Sequence, residues 1–141
     1  MESKTTDDLN QELMSDAGID TYIKNNQALF SDKGLAVLLA ELRERHHVTK
    51  NALARKAGMS EVYLHQVLSG RRNPSRDRLL CLCFGLGTAL EETQTLLRQA
   101  SYARLDPKVK RDAIIIHGLA HRIGLEVVND KLFEENEKTL Y

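Results

Sequence analysis

Apolar residues recur at helical spacing along nearly the whole chain, and no run alternates apolar and polar residues with turn signals at both ends. The pattern predicts a short helix over 5–15, with Leu9, Leu13 and Met14 inward. A second covers about 20–28, where Tyr22, Ile23, Leu29 and Phe30 supply the apolar contacts. Ser31 reads as an N-cap, with Asp32 favourable in the first turn. The helix after it runs to about Arg45, with Leu35, Leu38, Leu39 and Leu42 at i, i+3, i+4 and i+7. Thr49 opens the next, which turns Ala52, Leu53 and Ala57 inward and stops at Gly58. Ser60 caps a helix over 61–69 with Leu64, Val67 and Leu68 on one side, ending at Gly70. After an exposed polar turn, Arg71-Arg72-Asn73-Pro74, Ser75 caps a helix over about 76–86. Glu91 to Ala100 forms another.

Residues 79–86, LLCLCFGL, are apolar all round, so this helix must be buried on more than one side. Asp106-Pro107 gives an N-cap followed by Pro at the first helical position. The helix expected from it carries Val109, Ala113, Ile116, Ala120 and Ile123 inward and ends at Gly124. Ile114 and Ile115 fall outside that stripe. They predict a C-terminal pair of helices covering 79–86, with a subunit interface as the competing use of the same apolar surplus. Leu125 to about Glu135 is the last helix, on Leu125, Val128 and Leu132. The tail, KTLY, is expected to fray.

A chain of 141 residues, 42% apolar and 28% charged, can bury one core without disulfides or metal. No stretch approaches a membrane span, and the polar, acidic N-terminus lacks the apolar core of a secretory signal. With only two cysteines, a reducing cytoplasm is the expected compartment and no membrane partner is expected. The net charge of zero hides an uneven distribution. Residues 1–42 hold three Lys/Arg against eight Asp/Glu, and residues 43–78 hold nine against three. The basic quarter of the chain is an electrostatic footprint for phosphates.

That quarter also contains two short helices meeting at a tight turn, 49–57 and 61–69 across Gly58-Met59-Ser60. This is helix-turn-helix spacing: Gly58 lets the chain reverse, and Ala54, Met59, Leu64 and Val67 lock the helices at one angle. The run TKNALARKAGMSEVYLHQVLSGRRNPSRDRLLCLCFGLG resembles the phage-repressor/Cro-like (XRE) helix-turn-helix family of bacterial transcriptional regulators. The marks that carry the resemblance are the ALARKAGMS turn, the VLSGRRNPS segment and the LLCLCFGLG helix, which stand in the family's order across about 65 residues. It implies an all-α fold: a five-helix repressor-like bundle over 31–100, with helical extensions at 1–30 and 101–141. The expected activity is sequence-specific binding of double-stranded DNA as a homodimer on a palindromic operator, with repression the expected sign.

By position, the resemblance places Lys50 and Asn51 against the phosphate backbone. It places Glu61, Val62, Tyr63 and Gln66 on the groove-facing side of the recognition helix, and Arg71, Arg72 and Asn73 in a phosphate-contacting loop. Gln66 can pair with adenine, Val62 can touch a thymine methyl, and Tyr63 can reach a phosphate or a sugar. Arg76 is a further candidate for phosphate. Arg55 and Lys56 add long-range field or form a solvated helix face. Glu61 departs from the family's neutral or basic residue, and either accepts from a cytosine amino group or marks weakened DNA binding.

Other chemistry reads as structural. Cys81 and Cys83 point about 200° apart on a helix and suit a core rather than one metal ion. His46 and His47 end a helix, and His65 is a phosphate contact or simply exposed. His117 and His121 have metal-compatible spacing without an accompanying carboxylate motif. Ser60, Ser75, Asp106 and Asp112 read as cap and turn residues, so neither an enzyme nor a cofactor is expected. The alternative function is a helix-turn-helix scaffold that binds a partner protein through the C-terminal extension, without specific DNA binding.

Overall fold

A computed structural model describes residues 4–30 and 34–141, and every regular element among them is helical. The chain divides into two compact units after residue 33. The predicted cap at Ser31 and Asp32 lies outside the described residues.

In the first unit, α1 (Thr6–Met14) starts on a capping box. Asp8 N–H donates to Thr5 Oγ1 at 3.1 Å and Thr5 N–H to Asp8 Oδ2 at 3.0 Å. Next comes α2 (Ile19–Asn25), which stops short of the predicted 28. A single 3₁₀ turn follows over Gln27–Phe30, where Phe30 meets Tyr22 edge-on at 6.3 Å. Neither helix buries a residue. Leu13 and Met14, expected inward, are 49% and 86% exposed.

The second unit begins with α3 (Leu35–Arg45), which sinks Leu39 and Leu42 into the core with Leu35 and Leu38 beside them. Then α4 (Lys50–Lys56) and α5 (Glu61–Leu68) bury Leu53, Ala54, Leu64 and Val67. The centre of the unit is α6 (Arg76–Leu86), flanked in sequence by α7 (Leu90–Gln99). Leu79, Leu80, Cys81, Leu82 and Cys83 all reach 0% exposure. Each fully buried leucine contributes roughly 1.5–3 kcal/mol, so the all-round burial needs a cover on every side.

One side of that cover is α4, which approaches so closely that a Cβ on Gly85 would sit 2.7 Å from Leu53 Cδ1 and 3.2 Å from the Leu53 carbonyl oxygen. Another side belongs to α8 (Lys110–Ala120) and α9 (Leu125–Glu134), which lie in the same compact unit. A Cβ on Gly118 of α8 would sit 3.2 Å from the Phe84 ring and 2.5 Å from Val128 Cγ2 of α9, so glycine sets both approaches.

Three expectations for this C-terminal region are corrected. First, Asp106-Pro107 forms a turn rather than the start of α8. Asp106 Oδ1 accepts the Lys108 N–H at 2.8 Å, and the N-cap falls three residues later on Val109, which makes no side-chain cap bond, so the helix begins at Lys110. Second, α8 ends at Ala120 and Gly124 N-caps α9. The buried face of α8 carries Asp112, Ile115, Gly118 and Leu119, whereas Val109 and Ala120 are exposed. The predicted stripe was built from apolar residues alone, and the true face includes a carboxylate and a glycine. Third, the tail is pinned. Leu140 is buried and donates its N–H to Asn129 Oδ1 at 2.7 Å, and Arg111 donates to the carbonyls of Lys138 and Thr139.

Candidate nucleic-acid interface

Thr49 and Ser60 set the two helices of the candidate site. Thr49 Oγ1 accepts from the Ala52 N–H at 3.2 Å, and Ser60 Oγ from the Tyr63 N–H at 3.1 Å. Between them the chain reverses at Gly58, whose φ of +64° favours glycine. Met59 N–H bonds back to the Ala54 carbonyl at 3.0 Å and closes the turn. The Tyr141 ring covers Gly58 so closely that a Cβ would come within 2.9 Å of it. The C-terminal tail thus rests on the turn that fixes the angle between α4 and α5.

With Leu64 and Val67 buried, α5 turns Glu61, Val62 and His65 outward, with Tyr63 and Gln66 half-buried. Val62 is 69% exposed, a large apolar side chain with nothing on it. Glu61 lies in the first turn of α5, where a carboxylate complements the helix dipole by about 0.3–1 kcal/mol whatever else it does. Lys50 occupies the same place in α4, where a cation gains nothing from the dipole.

After α5 the chain turns through Gly70. The N–H groups of Arg71 and Arg72 both donate to the Gln66 carbonyl, at 2.9 and 3.2 Å. This leaves the side chains of Arg71, Arg72 and Asn73 exposed, beside a buried Pro74 whose carbonyl accepts the Tyr102 hydroxyl at 2.6 Å. Lys50 and Asn51 are exposed in the first turn of α4. Apart from Arg76 at the start of α6, the sequence-predicted contact residues therefore lie on α4, α5 and the loop that follows.

Ion pairing divides the cations. Among the described residues, Lys50, Arg55, Lys56, Arg71 and Arg72 pair with no carboxylate, whereas Arg45 pairs with Glu92 and Arg111 with Asp77. Arg76, expected as a phosphate contact, belongs to the paired class. Its guanidinium meets Asp112 at 3.2 Å and donates to the carbonyls of Ala103 and Arg104. It ties the start of α6 to the C-terminal extension. A residue missed in the sequence is Arg78. Its guanidinium carbon lies 5.3 Å from the Tyr63 ring centroid, and that of Arg72 lies 5.4 Å from the same point. No local spacing signals a contact between α5 and α6.

Elsewhere the side chains are occupied differently. Burial pushes the Cys81 thiol up to about 11 and the Cys83 thiol up to about 12, so both stay protonated at neutral pH. The His117 and His121 rings lie 4.3 Å apart, and the described residues include no group of three ligands that could hold a metal ion. Burial opposes the charge on Glu92, but the Ala89 N–H, His46 and Arg45 outweigh it and hold its carboxyl below the ordinary 4.5. A groove of about 230 Å³ between α3 and α7 is lined by Glu41, Glu91, Glu92 and Arg45, an acidic surround unsuited to phosphate. Among the described residues, no helix is long and apolar enough to cross a membrane.

Residues 35–96, from the start of α3 into α7, match the model of a helix-turn-helix domain family. This agrees with the resemblance carried by the same segment. No curated protein and no solved structure matches the chain.

Proposed function

We propose, from the helix-turn-helix domain at residues 35–96, that this protein is a sequence-specific double-stranded DNA-binding regulator acting as a repressor. In this reading α3–α7 are a five-helix repressor-like bundle, and α5 enters the major groove. The observation that carries it is the division of the cations. Among the described residues, those on α4 and the loop after α5 pair with no carboxylate, while Arg76 and Arg111, between α6 and the extension, are held by Asp112 and Asp77. Unpaired cations beside an exposed helix are what a phosphate backbone needs, because phosphate contacts fix register and orientation.

Base reading falls to α5. Gln66 pairs with adenine N6 and N7, Val62 covers a thymine methyl, and Glu61 accepts from a cytosine amino group. Lys50, Asn51, Arg71, Arg72 and Asn73 hold phosphates, with Tyr63 beside them. One subunit reads only a few base pairs, so a homodimer on a palindrome supplies the specificity.

Selection from a random duplex library at fixed moderate salt tests this reading. The expected result is a palindrome whose half-site loses its adenine preference in Gln66→Ala, at about 1–3 kcal/mol of discrimination. Failure of folded protein to enrich any sequence would overturn it and favour a protein-interaction module.

A further inference from the structure

We propose that Tyr63, Arg72 and Arg78 form a preorganised clamp on the phosphates of duplex DNA, with Arg78 a direct phosphate contact and Tyr63 the residue that positions both arginines. The proposal rests on the DNA-binding reading and extends it to α6, whose one candidate from the sequence, Arg76, is held by Asp112.

Three observations lead to it. The guanidinium carbons of Arg72 and Arg78 lie 5.4 and 5.3 Å from the centroid of one phenol ring, within the range at which a guanidinium is attracted to an aromatic face. The ring is itself fixed: Tyr63 is half-buried, packs against the core, and follows the Ser60 cap that accepts its N–H. The two arginines are anchored at their backbones, Arg72 through its N–H to the Gln66 carbonyl and Arg78 through its N–H to Ser75 Oγ at 3.2 Å.

The charge around them is what makes the arrangement a site. Among the described residues, no carboxylate pairs with Arg72 or Arg78. Asp77, adjacent to Arg78 in sequence, is taken by Arg111 at 3.0 Å and Lys138 at 3.7 Å. Two like charges are therefore held near one ring with no paired carboxylate among the described residues to offset their repulsion. An anion bridging or flanking them removes that repulsion and accepts the N–H donors that each planar fork presents. Because the ring has already ordered both side chains, less rotamer freedom is lost when the anion binds. The unpaired Arg71 is in the same loop and extends the positive strip toward α5. The partner that fits is a polyanion lying against α5, and a duplex backbone has that form.

The test uses the full chain and a fluorescein-labelled mixed-sequence duplex, read by anisotropy over a range of potassium chloride. Non-specific binding reports phosphate contacts without knowledge of the operator. Arg78→Gln is expected to lower the slope of log affinity against log salt by about 0.9, the value for one lost phosphate contact. Tyr63→Leu is expected to weaken binding by roughly three- to tenfold in the wild-type background, and by far less once Arg72 and Arg78 are both Gln. Tyr63→Phe restores the ring and is expected to recover the affinity that Tyr63→Leu loses. An unchanged slope in Arg78→Gln overturns the clamp, and Tyr63→Phe as weak as Tyr63→Leu overturns the platform in favour of a hydroxyl contact. If Tyr63→Leu does not fold, the Arg78→Gln slope and the affinity of Tyr63→Phe against wild type still decide. Wild-type protein that binds no duplex at low salt removes the DNA-binding reading itself, a result distinct from binding that ignores Arg78.

Discussion

Arg76 and Arg71 are five residues apart, both arginine, and candidates for the same role from sequence alone. Arg76 is ion-paired with Asp112, whereas Arg71 pairs with no carboxylate among the described residues, and truncation of Arg76 tests the difference. Arg76→Ala removes the partner of Asp112, a carboxylate only 6% exposed, and leaves it the Asp106 N–H at 3.0 Å as its remaining donor. It also strips donors from the carbonyls of Ala103 and Arg104. Breaking a fully buried pair costs about 3–5 kcal/mol. Here the contacts are long, 3.2 and 3.4 Å, and the Arg76 side chain keeps 22% of its exposure. Water can reach the vacated site, and the expected cost falls to about 2–3 kcal/mol. In a unit of this size that lowers Tm by roughly 10 °C. Urea unfolding followed by circular dichroism measures it, and Arg76→Ala/Asp112→Asn is expected to lose less than the two single changes added together. The salt slope of DNA binding should be that of wild type. The reasoning fails if Arg76→Ala leaves stability within about 0.5 kcal/mol of wild type and lowers the slope by about 0.9.

Other outcomes follow from single sites. Gly58→Ala is expected to cost about 1–2 kcal/mol from its left-handed backbone alone, because the exposed Tyr141 ring can swing aside; a neutral change by urea unfolding would contradict the φ of +64°. Leu140→Ala is expected to cost about 2–3 kcal/mol, against nearly nothing for a fraying tail, and thermal melts separate the two. Glu92 has a carboxyl held below its ordinary value, so its contribution is present above about 4.5 and disappears as pH falls through the lowered value. Glu92→Gln should therefore flatten the acid limb of a stability-against-pH curve, and an unchanged limb would remove the ion pair from the account.

The elements that sequence revealed best are those whose signal is local. Thr49, Ser60 and Ser75 each precede an apolar-periodic run, and each side chain accepts a backbone N–H of its own first turn. The all-round apolar run at 79–86 correctly required cover on more than one side. What escaped is pairwise. Arg78 sits 15 residues from Tyr63 in the chain, and Asp112 lies 36 residues from Arg76. No periodicity contains such pairs. The stripe on α8 was misread because burial there selects Gly118 for its missing side chain and Asp112 for its ion pair, neither of which an apolar count can register. In the first unit the count erred the other way. Leu13 and Met14 have the spacing of a buried stripe, but a stripe records only that a face is apolar, not that anything covers it.

The start of α6 is where the extension and the helix-turn-helix meet. Three consecutive residues leave it in different directions. Arg76 reaches Asp112 of α8. Asp77 is held by Arg111 of α8 and Lys138 of the tail. Arg78 lies on the Tyr63 ring of α5. Two of the three bind the extension, and the third faces the proposed DNA surface from the same helical turn. Close packing of Gly85 against α4 and of Phe84 against Gly118 of α8 leaves little room for the helix to shift without disturbing either neighbour. The tail adds a second link, because Tyr141 covers the turn glycine while Leu140 is held by Asn129 of α9. The extension therefore reaches the candidate interface by two routes, one through α6 to Arg78 and one through the tail to Gly58. The first acts on a cation that would hold phosphate, and the second on the angle at which α5 is presented.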